Sequence, residues 1–192
     1  AGAPLHDVVG MNSGSVRVFV RSTAASGWSR ETMLSPDDAQ AGDSFGRMVS
    51  LDGDVLAVLS PQDQNAGSGA VYLFERSTEG WAQTQRIANP GTGVWLSRGL
   101  HVQDGLLLFG GVRSAGGGLT VDRTFVFEYS GGTWVPQADL APLDEVAGEA
   151  TDFGGAIDRD GDTLIIAADH DDDGGAYAGA AYIFVRTGST WT

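Results

Sequence analysis

The sequence predicts an all-β fold of the β-propeller type, with blades of four antiparallel strands repeated about three and a half times at roughly 54 residues each. Three observations predict it: an internal repeat of fixed period, an abundance of glycine, and third strands that are apolar on both faces. Four segments align on a Phe, namely Phe19, Phe74, Phe127 and Phe184, at spacings of 55, 53 and 57 residues. A Trp follows each of them, at Trp28, Trp81, Trp134 and Trp191, and an aliphatic residue follows the first three Trp six positions later, at Leu34, Ile87 and Leu140. Gly accounts for 29 of 192 residues, without the every-third spacing of collagen, so the chain is rich in tight turns and poor in long helices.

Each period reads as four short strands. The first runs from Phe45-Gly46 to the turn Asp52-Gly53-Asp54, and from Phe153-Gly154 to Asp160-Gly161-Asp162 in a copy two periods later; Asp-Gly is a strong hairpin signal. The second strand is the apolar run Val55 to Leu59, or Thr163 to Ala167. In the third, Phe19 and its counterparts face one side while Val18, Leu73, Val126 and Ile183 face the other. A strand apolar on both sides must lie between two sheets, which favours stacked blades over a solenoid or a simple sandwich. The fourth strand starts at the Trp. In the middle copy Leu96-Ser97 replaces Phe-Gly, and Gln103-Asp104-Gly105 replaces the Asp-Gly-Asp turn. The expected organisation is one propeller region over 1–192, divided into a partial blade (1–40), a blade (41–90), a degenerate blade (91–147) and a second partial blade (148–192). That length makes an open arc or half of a seven-bladed ring, so the chain is expected to be a segment of a longer one or to self-associate.

The charge is one-sided, −14 overall, and all 11 basic residues are Arg. Such a field repels phosphate backbones and anionic lipid, which argues against nucleic-acid partners. No apolar run is long enough for a spanning helix, so membrane insertion is not expected. The absence of Cys removes disulfides and thiolate chemistry.

The Phe45-Gly46 start, the Asp-Gly-Asp turn, the Gly2-Ala3-Pro4 that would follow a second strand, the third strand Ala70 to Phe74 and the closing Trp resemble the FG-GAP repeats of bacterial extracellular proteins. They are more distantly similar to the integrin α-subunit propeller. The resemblance implies a seven-bladed propeller that is secreted or lies at the cell surface. It also implies a recognition or adhesion role toward a protein or glycan, often with calcium; a structural subunit of a surface assembly is the alternative, and a polysaccharide-active propeller enzyme the more distant one. Integrin-type calcium loops lie between the first and second strands of a blade, a connection that here is only a short turn.

Two candidate sites follow from the residues. Asp169, Asp171 and Asp173, followed by Gly174, place carboxylates at positions 1, 3 and 5 and Gly at 6, the first half of an EF-hand loop, although Ala180 stands where a bidentate Glu belongs. Weak calcium binding is the expectation, and a solvated acidic turn is the competing reading. The corresponding loops Leu5-His6-Asp7 and Gln62-Asp63-Gln64-Asn65 carry fewer acids. Trp95, the one Trp outside the period, together with Arg98, His101 and Arg113, is the candidate ligand-binding patch. Tyr72, Phe125 and Tyr182 share one strand position and read as packing residues. His6, His101 and His170 occupy unrelated repeat positions and no nucleophile elbow is present, so the chain is not expected to be an enzyme.

Overall fold

The computed structural model describes residues 1–23, 27–63, 69–88 and 94–192, without the Ser97 side chain. Of the positions singled out above, Gln64, Asn65 and the Ser97 side chain lie outside the described residues.

The described residues form four antiparallel sheets in sequence order, an all-β arrangement consistent with successive blades of part of a propeller. The first contains β1 (Gly2–Ala3), β2 (Ser15–Val20) and β3 (Ser29–Leu34). The second contains β4 (Met48–Asp52), β5 (Val55–Ser60), β6 (Ala70–Ser77) and β7 (Gly80–Ala88). The third contains β8 (Val94–Gln103), β9 (Leu106–Gly116), β10 (Leu119–Ser130) and β11 (Thr133–Leu140). The fourth contains β12 (Ile157–Asp160), β13 (Thr163–Ala168), β14 (Ala180–Thr187) and β15 (Thr190–Trp191). Every pairing joins neighbours in sequence. The Gly2-Ala3 segment takes its expected place, paired as second strand to the Phe19 strand through Gly2 opposite Val16.

The two apolar faces of each strand explain the stacking. Three hydrophobic clusters lie at the three junctions between consecutive sheets. At the first, Val16 and Leu34 of the first sheet meet Leu56, Val58, Tyr72 and Phe74 of the second. At the second, Ala57, Val71 and Leu73 meet Phe109, Phe125, Phe127 and Trp134. At the third, Leu106, Leu108 and Val126 meet Leu164, Ile166, Tyr182 and Phe184. The repeated Phe therefore points back to the preceding sheet, and its neighbour in the strand points forward. The pattern breaks only at the two outer faces: Phe19 is 43% exposed and Ile183 59%, with Ile165 and Val185 also exposed beside Ile183.

Phe45 and Phe153 close two of these junctions from outside the strands. Each is fully buried, meeting edge-on the Tyr and the Phe of its own third strand. The glycine that follows is required by shape. Gly46 has φ +89°, and a Cβ on it would lie 2.6 Å from the Ser15 carbonyl oxygen; on Gly2, opposite, a Cβ would lie 2.0 Å from the Gly46 oxygen. The Phe-Gly of one repeat and the Gly-Ala-Pro of the one before are thus pressed backbone to backbone. Gly154 and Gly110 repeat the contact at the third junction.

The eroded middle copy solves the same problem differently. Leu96 is buried in the cluster of the second junction, and β8 continues through the segment where the other copies have a loop, with register shifts on either side of Arg98.

The periodic Trp reaches backward. Trp81 Nε1–H donates to Glu31 Oε2 at 3.2 Å, and Trp191 Nε1–H to Gln137 Oε1 at 2.9 Å. Trp134 instead uses its backbone, its N–H donating to Gln85 Oε1 at 2.8 Å and its carbonyl accepting from Gln85 Nε2 at 2.9 Å. Each of these contacts joins a fourth strand to the fourth strand of the preceding sheet. Trp28, which has no such sheet before it, is 68% exposed under the Arg21 guanidinium.

Phe153→Ala should cost about 3–5 kcal/mol in denaturant unfolding, because it empties a fully enclosed site. Phe19→Ala should cost under about 1 kcal/mol on the same measurement, since its ring already faces water.

Candidate functional site

The connections of the sheets are unequal at their two ends. At one end, 53–54, 78–79, 104–105, 131–132, 161–162 and 188–189 are two-residue turns, and the first sheet has the longer connection 21–28. At the other, residues 4–14, 35–47, 141–156 and 169–179 are long loops, and the third sheet adds a hairpin through Gly117-Gly118. Functional side chains are concentrated on such loops when a rigid scaffold holds them.

A hydroxyl-centred lock fixes the long loops of the second sheet. Tyr72 Oη–H lies 2.6 Å from Asp63 Oδ2 and 2.9 Å from Asp38 Oδ1, while Arg86 reaches both carboxylates and the phenol oxygen. Burial first, then these carboxylates, pushes the Tyr72 phenol far above its ordinary value. Burial works against the Arg86 charge, but its hydrogen bonds to Tyr72 and Asp63 hold it above the usual range.

The fourth sheet repeats the contacts of the tyrosine with two carboxylates. Tyr182 Oη lies 2.7 Å from Asp171 Oδ2 and 2.6 Å from Asp144 Oδ1. Asp171 is 4% exposed, and its other oxygen accepts the Asp173 N–H at 3.1 Å. A phenol carries a single proton, so Tyr182 donates to one carboxylate at a time. The hydrogen bond from Tyr182 lowers the Asp144 carboxyl, while the hydrogen bond with Asp144 and the charges of Asp144 and Asp171 raise Asp173. Tyr182 itself is pushed up by burial and then by both carboxylates.

The candidate calcium ligands divide. Asp171 and Asp173 turn to the Tyr182 lock, whereas Asp169 joins Asp152 and His170, with donor atoms within 4.8 Å of one another. The loop does not gather Asp169, Asp171 and Asp173 around one point, and among the described residues no calcium-specific ligand set is assembled. The physical reason is that the Asp171 oxygens are already held by an O–H and an N–H.

The second candidate patch is likewise dispersed. Trp95 is 48% exposed and pairs with Val112, whereas Arg113 pairs with Val94 and so projects from the opposite face, over the Phe125 ring and onto Asp139. Arg98 bridges buried Asp122, at 2.6 Å, and Asp152, at 2.5 Å. His101 Nε2 lies 3.4 Å from Gln103 Oε1. Arg123, lowered chiefly by burial, joins Asp139 and Glu145.

Asp38, Asp63 and Asp144 were not among the candidate residues. A signal for them exists in the repeat: Asp38 and Asp144 each lie ten residues after the periodic Trp, and Asp63 and Asp171 each lie eighteen residues after the Phe of Phe-Gly.

Tyr182→Phe should cost about 1–3 kcal/mol, because it strips a donor from buried Asp171. Tyr72→Phe should cost less, since Arg86 still holds Asp63; equal losses in denaturant unfolding would refute the distinction. The Asp144 and Asp173 carboxyls act in opposite senses. Asp144, depressed, contributes stability above its ordinary value that is lost as pH falls through the lowered one. Asp173, raised, contributes below its ordinary value, and that contribution is lost as pH rises through the raised one. A carboxyl-detected NMR titration should show Asp144 losing its proton before Asp173, with the Asp144 midpoint rising in Tyr182→Phe.

No curated protein matches this chain. The family model described as FG-GAP repeat matches residues 28–74 and 134–184, together half of the sequence. Each matched stretch begins at a periodic Trp, ends at the Phe of the next third strand, and encloses one junction with its buried Phe-Gly and its tyrosine lock. The chain belongs to the FG-GAP repeat family.

Proposed function

We propose that this chain is a recognition module, secreted or displayed at a cell surface, whose sheets are blades of a β-propeller and whose long-loop end binds a cationic protein surface. Binding, not catalysis, is the proposed activity. The observation that carries the reading is the exposure of large apolar side chains on those loops: Leu5, Val9 and Met11 on 4–14, Leu143 and Val146 on 141–156, and Tyr177 on 169–179. Apolar anchors with a charged surround are the composition of protein-contact surfaces. The net charge of −14 selects basic partners and speeds their approach. Because the acidic loop does not collect its carboxylates, the proposed binding does not depend on calcium.

The outer faces carrying Phe19 at one end and Ile165, Ile183 and Val185 at the other are where a second copy, or neighbouring blades of a longer chain, would continue the packing.

The test is binding to arrayed extracellular proteins and glycans, with and without a calcium chelator. Protein binding should survive chelation and fall in Leu143→Ser with Tyr177→Ser, while Glu79→Ala at the tight-turn end leaves it unchanged. Binding to glycans alone, or loss with Glu79→Ala, would contradict the reading. For the outer faces, light scattering should show association of the wild type that Ile183→Arg reduces.

A further inference from the structure

The two intact repeats, compared position by position, separate scaffold from chemistry. Phe45 and Phe153, Gly46 and Gly154, Asp63 and Asp171, and Tyr72 and Tyr182 correspond. Their backbones are tied alike: Gly46 N–H donates to Leu59 O at 3.2 Å and Gly154 N–H to Ala167 O at 3.0 Å. Likewise Gln62 N–H donates to Asp43 O at 3.4 Å and His170 N–H to Thr151 O at 3.1 Å. Ser44 and Asp152 share a left-handed backbone, with φ 57° and 59°. On this common frame three positions change to a metal donor, Ser44 to Asp152, Pro61 to Asp169 and Gln62 to His170, while beside them Asp43 gives way to Thr151.

The donor atoms of the three residues lie within 4.8 Å of one another, close enough to share an ion. His170 Nδ1 and Asp152 Oδ2 are 3.5 Å apart, beyond the roughly 2.7–3.2 Å of a good N–H···O bond. Donors about 2.1 Å from a tetrahedral ion are separated by roughly 3.4 Å. Arg98 Nη2 holds Asp152 Oδ1 at 2.5 Å and leaves Oδ2 toward the imidazole, as an outer-shell partner does. Among the described residues no group donates to the Asp169 carboxylate, and Gly155 has no side chain to crowd it: a Cβ there would lie 3.4 Å from Oδ1. One cleft of about 390 Å³ is lined by Thr151, His170 and Tyr177, and another of about 420 Å³ by Asp152, Gly155 and Asp169, so the group is open to solvent on both sides.

We propose that Asp152, Asp169 and His170 bind a first-row divalent metal ion of the zinc class, with the remaining coordination position open to water or to a ligand atom. One imidazole and two carboxylates suit such an ion. Calcium, which takes six to eight oxygens, finds too few here. The site adjoins the recognition surface proposed above, with the Tyr177 ring edge-on to His170 at 5.4 Å, but its donors are not among the apolar anchors.

Zinc chloride titrated into the whole chain by calorimetry tests this. One zinc per chain is expected, with affinity falling about tenfold or more in His170→Ala and in Asp169→Asn, since loss of an outer-shell partner alone costs about 10–100-fold. All three metal donors are partly or fully exposed, so the variants should keep the wild-type circular dichroism. Glu149→Gln, in the adjoining cleft, should bind as the wild type does. Cobalt(II) should give the intense visible bands of tetrahedral coordination, and calcium at the same concentrations should give no heat. Absence of stoichiometric zinc uptake would overturn the proposal. So would wild-type affinity in both His170→Ala and Asp169→Asn, or an equal loss in Glu149→Gln, which would assign the binding to the acidic surface in general.

Discussion

The structure depends on one constraint: each sheet carries apolar residues on both faces and is stable only between neighbours. Val71 and Leu73 point one way, Tyr72 and Phe74 the other, and all four are buried because a sheet lies on each side. Close approach is part of the same requirement. The sheets come near enough that Gly46 and Gly2, or Gly154 and Gly110, leave no space for a β-carbon. Side chains alone would hold the sheets about 10 Å apart; the paired glycines let loop backbone close the edge of each junction.

The polar groups follow the same junctions. The Trp contacts to Glu31, Gln85 and Gln137 register each fourth strand against the one before it, and the tyrosine locks tie a loop of one repeat to the connection that leads into it. Most of the arginine charge is spent internally: Arg86 on Asp38 and Asp63, Arg98 on Asp122 and Asp152, Arg123 on Asp139 and Glu145, Arg186 on Glu128. The surplus of acid therefore falls to the loops and turns, where it shapes what can approach. Leaving one partner of a buried pair alone costs more than the pair contributes, which is why Asp63 and Asp171 are each matched to a tyrosine hydroxyl.

The two ends of the sheets consequently serve different purposes. Asp-Gly and Gly-Gly turns finish the strands at one end with little left over. At the other, long loops are held by buried Phe45 and Phe153 and by the locks, so exposed residues such as Leu143 and Tyr177 sit on anchored backbone. A surface on anchored loops loses less freedom when it binds.

The sequence by itself determined the period, the four-strand unit, the two-faced third strand and the family resemblance. Each of these is a local pattern: a Phe or Trp recurs because the same strand geometry recurs, and Asp-Gly marks a hairpin wherever it stands. It also placed Gly2-Ala3 as a second strand. Only the tertiary structure decided which charges meet. The alternation Asp169, Asp171, Asp173 suggested one metal loop, yet the Tyr182 hydroxyl, eleven residues past Asp171, draws that aspartate inward and leaves Asp169 to Asp152 and His170. Trp95 and Arg113 appeared to be neighbours in one patch, yet strand pairing sets them on opposite faces. In both cases the partner comes from another strand or loop, and a period-two alternation along one segment carries no information about which distant hydroxyl or carboxylate the fold will bring against it.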